Sequence, residues 1–190
     1  MAKILIAYST VDGQTRRICA RLQQLLEARS HEVTLVQMTD DRAIDADPFD
    51  KVIIGASVRY GKHRRHVHRF VAQNARKLDG KPNVLFTVNL VARKPEKSTP
   101  ETNPYLRKLV EELQWRPDHT AVFAGRLDYA RYGFWDRQII RLIMKLTGGP
   151  TAPDTQVEYT DWGQVASVSN RAHRPPTASR GPRSARARAI

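Results

Sequence analysis

The chain has 190 residues, a formal net charge of +13 and a single cysteine, Cys19. That length buries the core of one domain, and one cysteine excludes an intrachain disulfide framework and is compatible with a reducing cytosol. No stretch is apolar for the roughly 18–20 residues that a membrane-spanning helix needs, and the N-terminus opens on a strand pattern rather than a charged-then-apolar signal segment.

The positive charge has two concentrations. Residues 171–190 carry six arginines and no acid, and subtracting those six from +13 leaves +7 for residues 1–170. The segment from Lys51 to Leu78 holds Arg59, Lys62, Arg64, Arg65, Arg69, Arg76 and Lys77 without a carboxylate. Such a balance draws anionic partners.

In chain order, apolar runs fall at Ile4–Ala7, Val33–Val36, Val52–Ile54, Val84–Val88 and Ala121–Ala124. Several are continuous rather than alternating, which predicts parallel strands buried on both faces. Helical patterns lie between them at Thr15–Ala28, at about Arg64–Leu78 and after Pro104. The acidic stretch from Met38 to Asp50 predicts a reduced helix or a loop. The alternation predicts an open parallel α/β sheet that binds ligands beyond the carboxyl ends of its strands. Residues 126–158 read as an insertion after the fifth strand, stopped by Gly148-Gly149-Pro150. A last helix is predicted from Thr160, its N-cap, carrying Trp162, Val165 and Ala166. Residues 171–190 are predicted to be a disordered basic tail.

Three loops carry the chemistry. Strand one runs into Ser9-Thr10-Val11-Asp12-Gly13-Gln14-Thr15 and then a helix. The helix N-terminus and the hydroxyls of Ser9, Thr10 and Thr15 suit a phosphate. The same residues also read as a capped helix start, with Thr10 or Asp12 as N-cap. A single glycine excludes a dinucleotide fingerprint and a Walker loop. After strand three comes Gly55-Ala-Ser-Val-Arg-Tyr60-Gly61, where Tyr60 can stack on a flat ligand. After strand four comes Asn89-Leu-Val-Ala-Arg93-Lys94-Pro95, where Asn89 and nearby N–H groups can meet a heterocycle's edge. His63, His66 and His68 lack a third metal ligand or acidic partner nearby, so no metal site is expected.

These loops resemble the FMN site of flavodoxins. With Gly-Ala-Ser-Val-Arg-Tyr-Gly at 55–61, Val-Asn-Leu-Val-Ala-Arg-Lys-Pro-Glu-Lys at 88–97, Gln-Trp-Arg-Pro-Asp at 114–118 and Tyr-Thr-Asp-Trp at 159–162, the chain resembles the flavodoxin-like family of menaquinone-dependent protoporphyrinogen oxidases over about residues 3–168. The resemblance implies five parallel strands in the order 2-1-3-4-5, with FMN as cofactor and hydride acceptor. It implies six-electron oxidation of protoporphyrinogen IX in haem biosynthesis, with menaquinone or another quinone as acceptor, peripherally at the cytoplasmic side of the inner membrane. By motif position, Thr10, Asp12, Gly13, Gln14 and Thr15, with Ser9 beside them, would hold the phosphate. Ser57, Val58, Arg59, Tyr60 and Gly61, and Asn89, Leu90, Val91, Ala92 and Arg93, would flank the isoalloxazine. Flavodoxins usually have threonine where Asp12 stands, so Asp12 is expected to cap the helix and turn its charge aside.

A flavin suits the inventory, since no side chain here is an electron sink. Arg93 or Lys94 would stabilise a reduced flavin, or else both are solvated loop charges. Arg59 is the expected clamp for a substrate propionate. In the insertion, Arg137, Arg141 and Lys145 form one helical ridge, Trp135, Ile139, Leu142, Ile143 and Leu146 cover much of the rest, and Tyr129, Tyr132, Phe134 and Trp135 cluster at its start. Such a segment lies in a bilayer interface, where Arg131, Arg137, Arg141 and Lys145 together contribute ~4 kcal/mol against an anionic surface, or packs on its own domain or on a second copy. Nothing predicts specific nucleic-acid recognition. An NAD(P)H:quinone reductase, a non-enzymatic FMN carrier and an adaptor without flavin remain alternatives; carriers of this kind are usually acidic.

Overall fold

The computed structural model describes residues 1–129, 133–146, 148–152 and 155–173. In chain order its elements are β1 (Lys3–Tyr8), α1 (Gln14–Glu27), β2 (Glu32–Gln37), β3 (Lys51–Arg59), β4 (Lys62–His63), α2 (Arg65–Asp79), β5 (Asn83–Asn89), α3 (Pro104–Leu113), β6 (His119–Ala124), β7 (Arg126–Asp128), α4 (Phe134–Leu146), β8 (Gln156–Glu158) and α5 (Trp162–His173). Five strands pair in parallel in the order β2-β1-β3-β5-β6. Counting principal strands, this is the expected 2-1-3-4-5 order; the two-residue β4 is a hairpin arm antiparallel to β3.

The continuous apolar runs follow from the pleat, because alternate residues face opposite layers. Leu5, Ala7, Val52, Ile54 and Leu85 pack under α2 and α3 against Val67, Phe70, Leu106 and Leu109. Ile4, Ile6, Ile53, Phe86 and Phe123 pack under α1 and α5 against Ile18, Leu22, Val165 and Val168. With both faces covered, the carboxyl edge is where loops are free to build a site.

Asn103 caps α3, accepting from the Tyr105 and Leu106 N–H groups at 3.2 and 3.1 Å. The cap of α5 differs from the expected one. Asp161 Oδ1 accepts from Gly163 and Gln164 at 2.9 and 3.1 Å. The Thr160 hydroxyl instead donates to the Ala124 carbonyl at 2.8 Å. At the other end of α5, buried Lys51 donates to the Ala172 and His173 carbonyls at 2.7 and 3.1 Å, a cation on a helix C-terminus. The helix therefore runs past the expected boundary at 170, while residues 174–190 of the expected tail lie outside the described residues.

The insertion is a closed excursion. β7 and β8 pair antiparallel, so the chain leaves and returns at one point. α4 ends where expected, with Gly148 at φ 68° and the Gly149 N–H on the Met144 carbonyl at 2.7 Å. Leu127, Tyr129, Ile140 and Met144 form a small core with Leu90 and Tyr159, folding the insertion over the turn after β5. Residues 130–132 and the side chains at 134–137, 143 and 146 lie outside the described set. So do Tyr132, most of the expected aromatic cluster, and the expected cations Arg131 and Arg137.

Candidate functional site

A cleft of about 890 Å³, open to solvent, lies beyond the carboxyl ends of β1, β3 and β5. Its position is the crevice where strand order reverses, which in open α/β sheets is the ligand site.

The first wall is the loop into α1. Thr10, Val11, Asp12, Gln14 and Thr15 line the cleft. Gly13 occupies the N-cap position at φ 84°, in the left-handed region, and no side chain caps the helix. The first-turn N–H groups and the positive end of the dipole are thus left for a ligand. Thr10 Oγ1 accepts from the Gly13 N–H at 3.0 Å and shapes the turn. Asp12 departs from its expected role as helix cap. Its carboxylate takes the Arg59 guanidinium at 2.8 and 3.0 Å, from a residue 47 positions away. Two expectations change together, since Asp12 is neutralised across the cleft and the guanidinium assigned to a substrate propionate is held by it. Gln14 is also anchored, donating to Thr160 at 2.9 Å and Glu158 at 3.0 Å.

The second wall is the β3–β4 hairpin. Tyr60 and Gly61 form its two-residue turn, at φ 51° and 73°. Positive φ at both positions is the type I′ geometry that matches strand twist. Ser57, Val58, Arg59, Tyr60 and Gly61 all line the cleft. The Tyr60 ring stays half exposed, with the Arg59 guanidinium 4.9 Å from its centroid.

The third wall is the turn after β5, where Asn89, Leu90, Val91 and Arg93 line the cleft. Asn89 has a structural occupation. Its Oδ1 accepts from the Ala92 N–H at 3.1 Å, and its amide pairs reciprocally with that of Asn103 at 3.3 Å. Arg93 donates to the Leu90 carbonyl at 3.0 Å, which fixes the guanidinium beside the cleft. Ala92 and Lys94 are not among the lining residues, and Ser9 is buried behind the first wall.

Sequence reasoning missed Val11 and Val88 within the loop motifs, and also Tyr105, Gly125, Arg126, Ile140 and Met144, which complete the lining. The last five come from α3, the β6–β7 junction and α4, and only the insertion's aromatic and apolar content pointed toward them.

The three histidines of residues 63–68 face three different partners. His68 meets Glu112 at 3.0 Å, His66 meets Ser9 at 3.0 Å, and His63 Nε2 meets Thr87 at 3.0 Å. Burial, with His68 adding to it, pushes the His63 imidazole down from 6.5 to about 4. A depressed folded-state pKa means that the unfolded chain binds the proton first, so stability present above pH 6.5 is lost as pH falls through 4. We expect this imidazole to cost about 3 kcal/mol across that window. Urea unfolding of wild type and His63→Asn at pH 7 and pH 4 checks it. The variant's acid loss should be smaller, and equal losses would refute the assignment.

The chain matches the flavodoxin domain family over residues 5–154. The chain belongs to the flavodoxin family. It is 46% identical over 167 residues to the Escherichia coli K12 protein named protoporphyrinogen IX dehydrogenase [quinone], covering 88% of this chain and 92% of that one. A Leishmania major protein of the same name is 40% identical over 164 residues, covering 86% of this chain and 71% of the relative. Among solved structures, oxidised flavodoxin 1 from Bacillus cereus aligns with a TM-score of 0.47 at 14% identity, covering 64% of this chain and 84% of that one. The five-strand order found here is the flavodoxin order.

Proposed function

We propose that this chain is an FMN-dependent protoporphyrinogen IX dehydrogenase that passes the electrons to a quinone. The observation that carries this reading is the identity shared with the E. coli dehydrogenase over nearly the full length of both chains, together with a cleft whose walls suit FMN.

The fit rests on the donor set and the wall chemistry. The uncapped start of α1, with the hydroxyls of Thr10 and Thr15, offers donors to a phosphate. The one carboxylate in that loop is paired with Arg59, so its repulsion is offset. Val88, Leu90, Val91, Ile140 and Met144 form an apolar surface for a flat ring, and Tyr60 stands half exposed at its edge. When bound, FMN supplies the electron-pair acceptor that the side chains lack. Arg93 places positive charge beside the ring site and favours a negative charge developing there. Ile140 and Met144 of α4 make the same region less polar. Lys62, exposed and next in sequence to the Tyr60–Gly61 turn that lines the cleft, is a cation available to a substrate propionate.

The quinone-reductase alternative shares this fold and is separated by its reductant. With the FMN-loaded protein under anaerobic conditions, protoporphyrinogen IX should bleach the flavin and NAD(P)H should not. The reverse order would overturn the reading. The folded part's positive charge disfavours a carrier.

The chain acts peripherally at a membrane, where a lipid-soluble quinone resides. The feature that supports this is the outer side of α4, which exposes Ile139 and Leu142 beside an exposed Lys145. Arg141 Nε donates to the Thr151 carbonyl at 2.9 Å, which ties its side chain to the insertion while the guanidinium keeps its charge. Among the described residues, no helix is long and apolar enough to cross a membrane. Ile139→Ser with Leu142→Ser should weaken sedimentation with anionic vesicles about tenfold or more, since each apolar side chain is worth roughly 1.5–3 kcal/mol when buried. FMN retention should not change. Undiminished vesicle binding would refute the interfacial role.

A further inference from the structure

Behind the first two walls, three polar side chains form a continuous path from α2 to the cleft. His66 Nε2 lies 3.0 Å from Ser9 Oγ, and Ser9 Oγ lies 3.3 Å from Ser57 Oγ. Ser9 is fully buried, Ser57 is 7% exposed, and of the three only Ser57 lines the cleft. Proton counting gives the path a direction. Each hydroxyl has one proton to donate. If Ser57 donates to an anion in the cleft, its oxygen is satisfied by the Ser9 proton, and the Ser9 oxygen by a hydrogen on His66 Nε2. All three links point into the cleft only when Nε2 carries that hydrogen. In the other neutral tautomer Nε2 is bare, and Ser9 turns its proton back toward the ring. Protonating the ring removes that competing arrangement.

We propose that His66 is a positioning residue for the phosphate monoester of the cofactor, acting through Ser9 on Ser57. This rests on the phosphate lying at the loop of residues 10–15 and within reach of Ser57, which motif position had set beside the isoalloxazine. Four charged groups surround the ring. Asp40, in the loop after β2, favours the imidazolium; Arg64 and Arg69 oppose it, and Arg42 shares the shallow depression beside it. Burial lowers the imidazole's affinity for a proton, and an anion at the far end of the path restores it. FMN binding therefore takes up a proton, and His66 tightens FMN increasingly as pH falls.

The test compares the full-length protein with His66→Gln, which keeps a neutral N–H donor but does not titrate. Both are loaded with FMN or with riboflavin, and the flavin released on dilution is read by its fluorescence between pH 8 and 5.5. The variant-to-wild-type ratio of FMN dissociation constants should rise severalfold toward acid, tending to the limit of about tenfold that a one-unit rise in the imidazole's pKa sets. The titration of FMN's own phosphate cancels in that ratio. The riboflavin ratio should stay flat. Ser9→Ala, which cuts the path with His66 in place, should reproduce the His66→Gln profile. A flat FMN ratio, or an equal rise for riboflavin, overturns the proposal. If FMN binds no tighter than riboflavin at any pH in either protein, the placement of the phosphate itself is wrong.

Discussion

Gly125→Phe is expected to abolish FMN retention while leaving the protein folded. Gly125 follows β6 and lines the cleft. A Cβ there would sit 3.7 Å from Val88 Cγ1 and 3.9 Å from Leu90 Cδ2, ordinary contact distances. The backbone therefore tolerates a side chain, and Gly125→Ala should bind FMN nearly as wild type does. A phenyl ring extends past that Cβ among the apolar lining residues, into the space a flat heterocycle needs. We expect a loss of at least about 100-fold in affinity, roughly 2.7 kcal/mol, with an unchanged thermal midpoint. Fluorescence of released flavin measures it. Wild-type affinity in Gly125→Phe would show that the cleft is not the cofactor site.

Gly55→Ala should be the costliest small substitution in the sheet. Its added methyl would lie 2.6 Å from Phe86 Cζ and 3.2 Å from Cys19 Sγ. Phe86 is fully buried and packs edge-on against Phe123 with ring centroids 5.1 Å apart. Neither ring has room to swing in a close-packed interior. The Gly55 carbonyl also accepts the Ser9 N–H at 2.7 Å, so movement of β3 disturbs the start of the phosphate loop. Overpacking of this kind costs about 3 kcal/mol. It should appear as a lowered urea midpoint and as faster labelling of Cys19, whose thiol is buried and pushed up by that burial. Adding Phe86→Leu should recover part of the loss. An unchanged midpoint in Gly55→Ala would contradict the packing described here.

The five strands were legible because each apolar run is local and most are followed by a helical period, whereas their order came from the resemblance to flavodoxins. The three cleft loops were legible because hydroxyl, glycine and aromatic residues mark them in the sequence. The roles within them were not. Asp12 reads as a helix cap until Arg59 arrives from 47 residues away, and Asn89 reads as a ligand donor until Asn103 claims its amide. Ser9 reads as a phosphate ligand, but the pleat turns it behind the loop, where His66 meets it. Each outcome depends on a tertiary partner that no local pattern specifies. The β7–β8 closure was hidden for the same reason, since two three-residue strands carry too little periodicity to read. The insertion's helix and its Gly148-Gly149 stop were readable. That Ile140 and Met144 face inward while Ile139 and Leu142 face outward was settled by packing on Leu127, Tyr129 and Leu90.

The FMN-loaded protein is mixed anaerobically with protoporphyrinogen IX and a menaquinone analogue, and porphyrin fluorescence is followed against a protein-free control. Sustained porphyrin formation is expected, which depends on the quinone and, without it, stops once the bound flavin is reduced. Fluorescence rising no faster than in the control would contradict it.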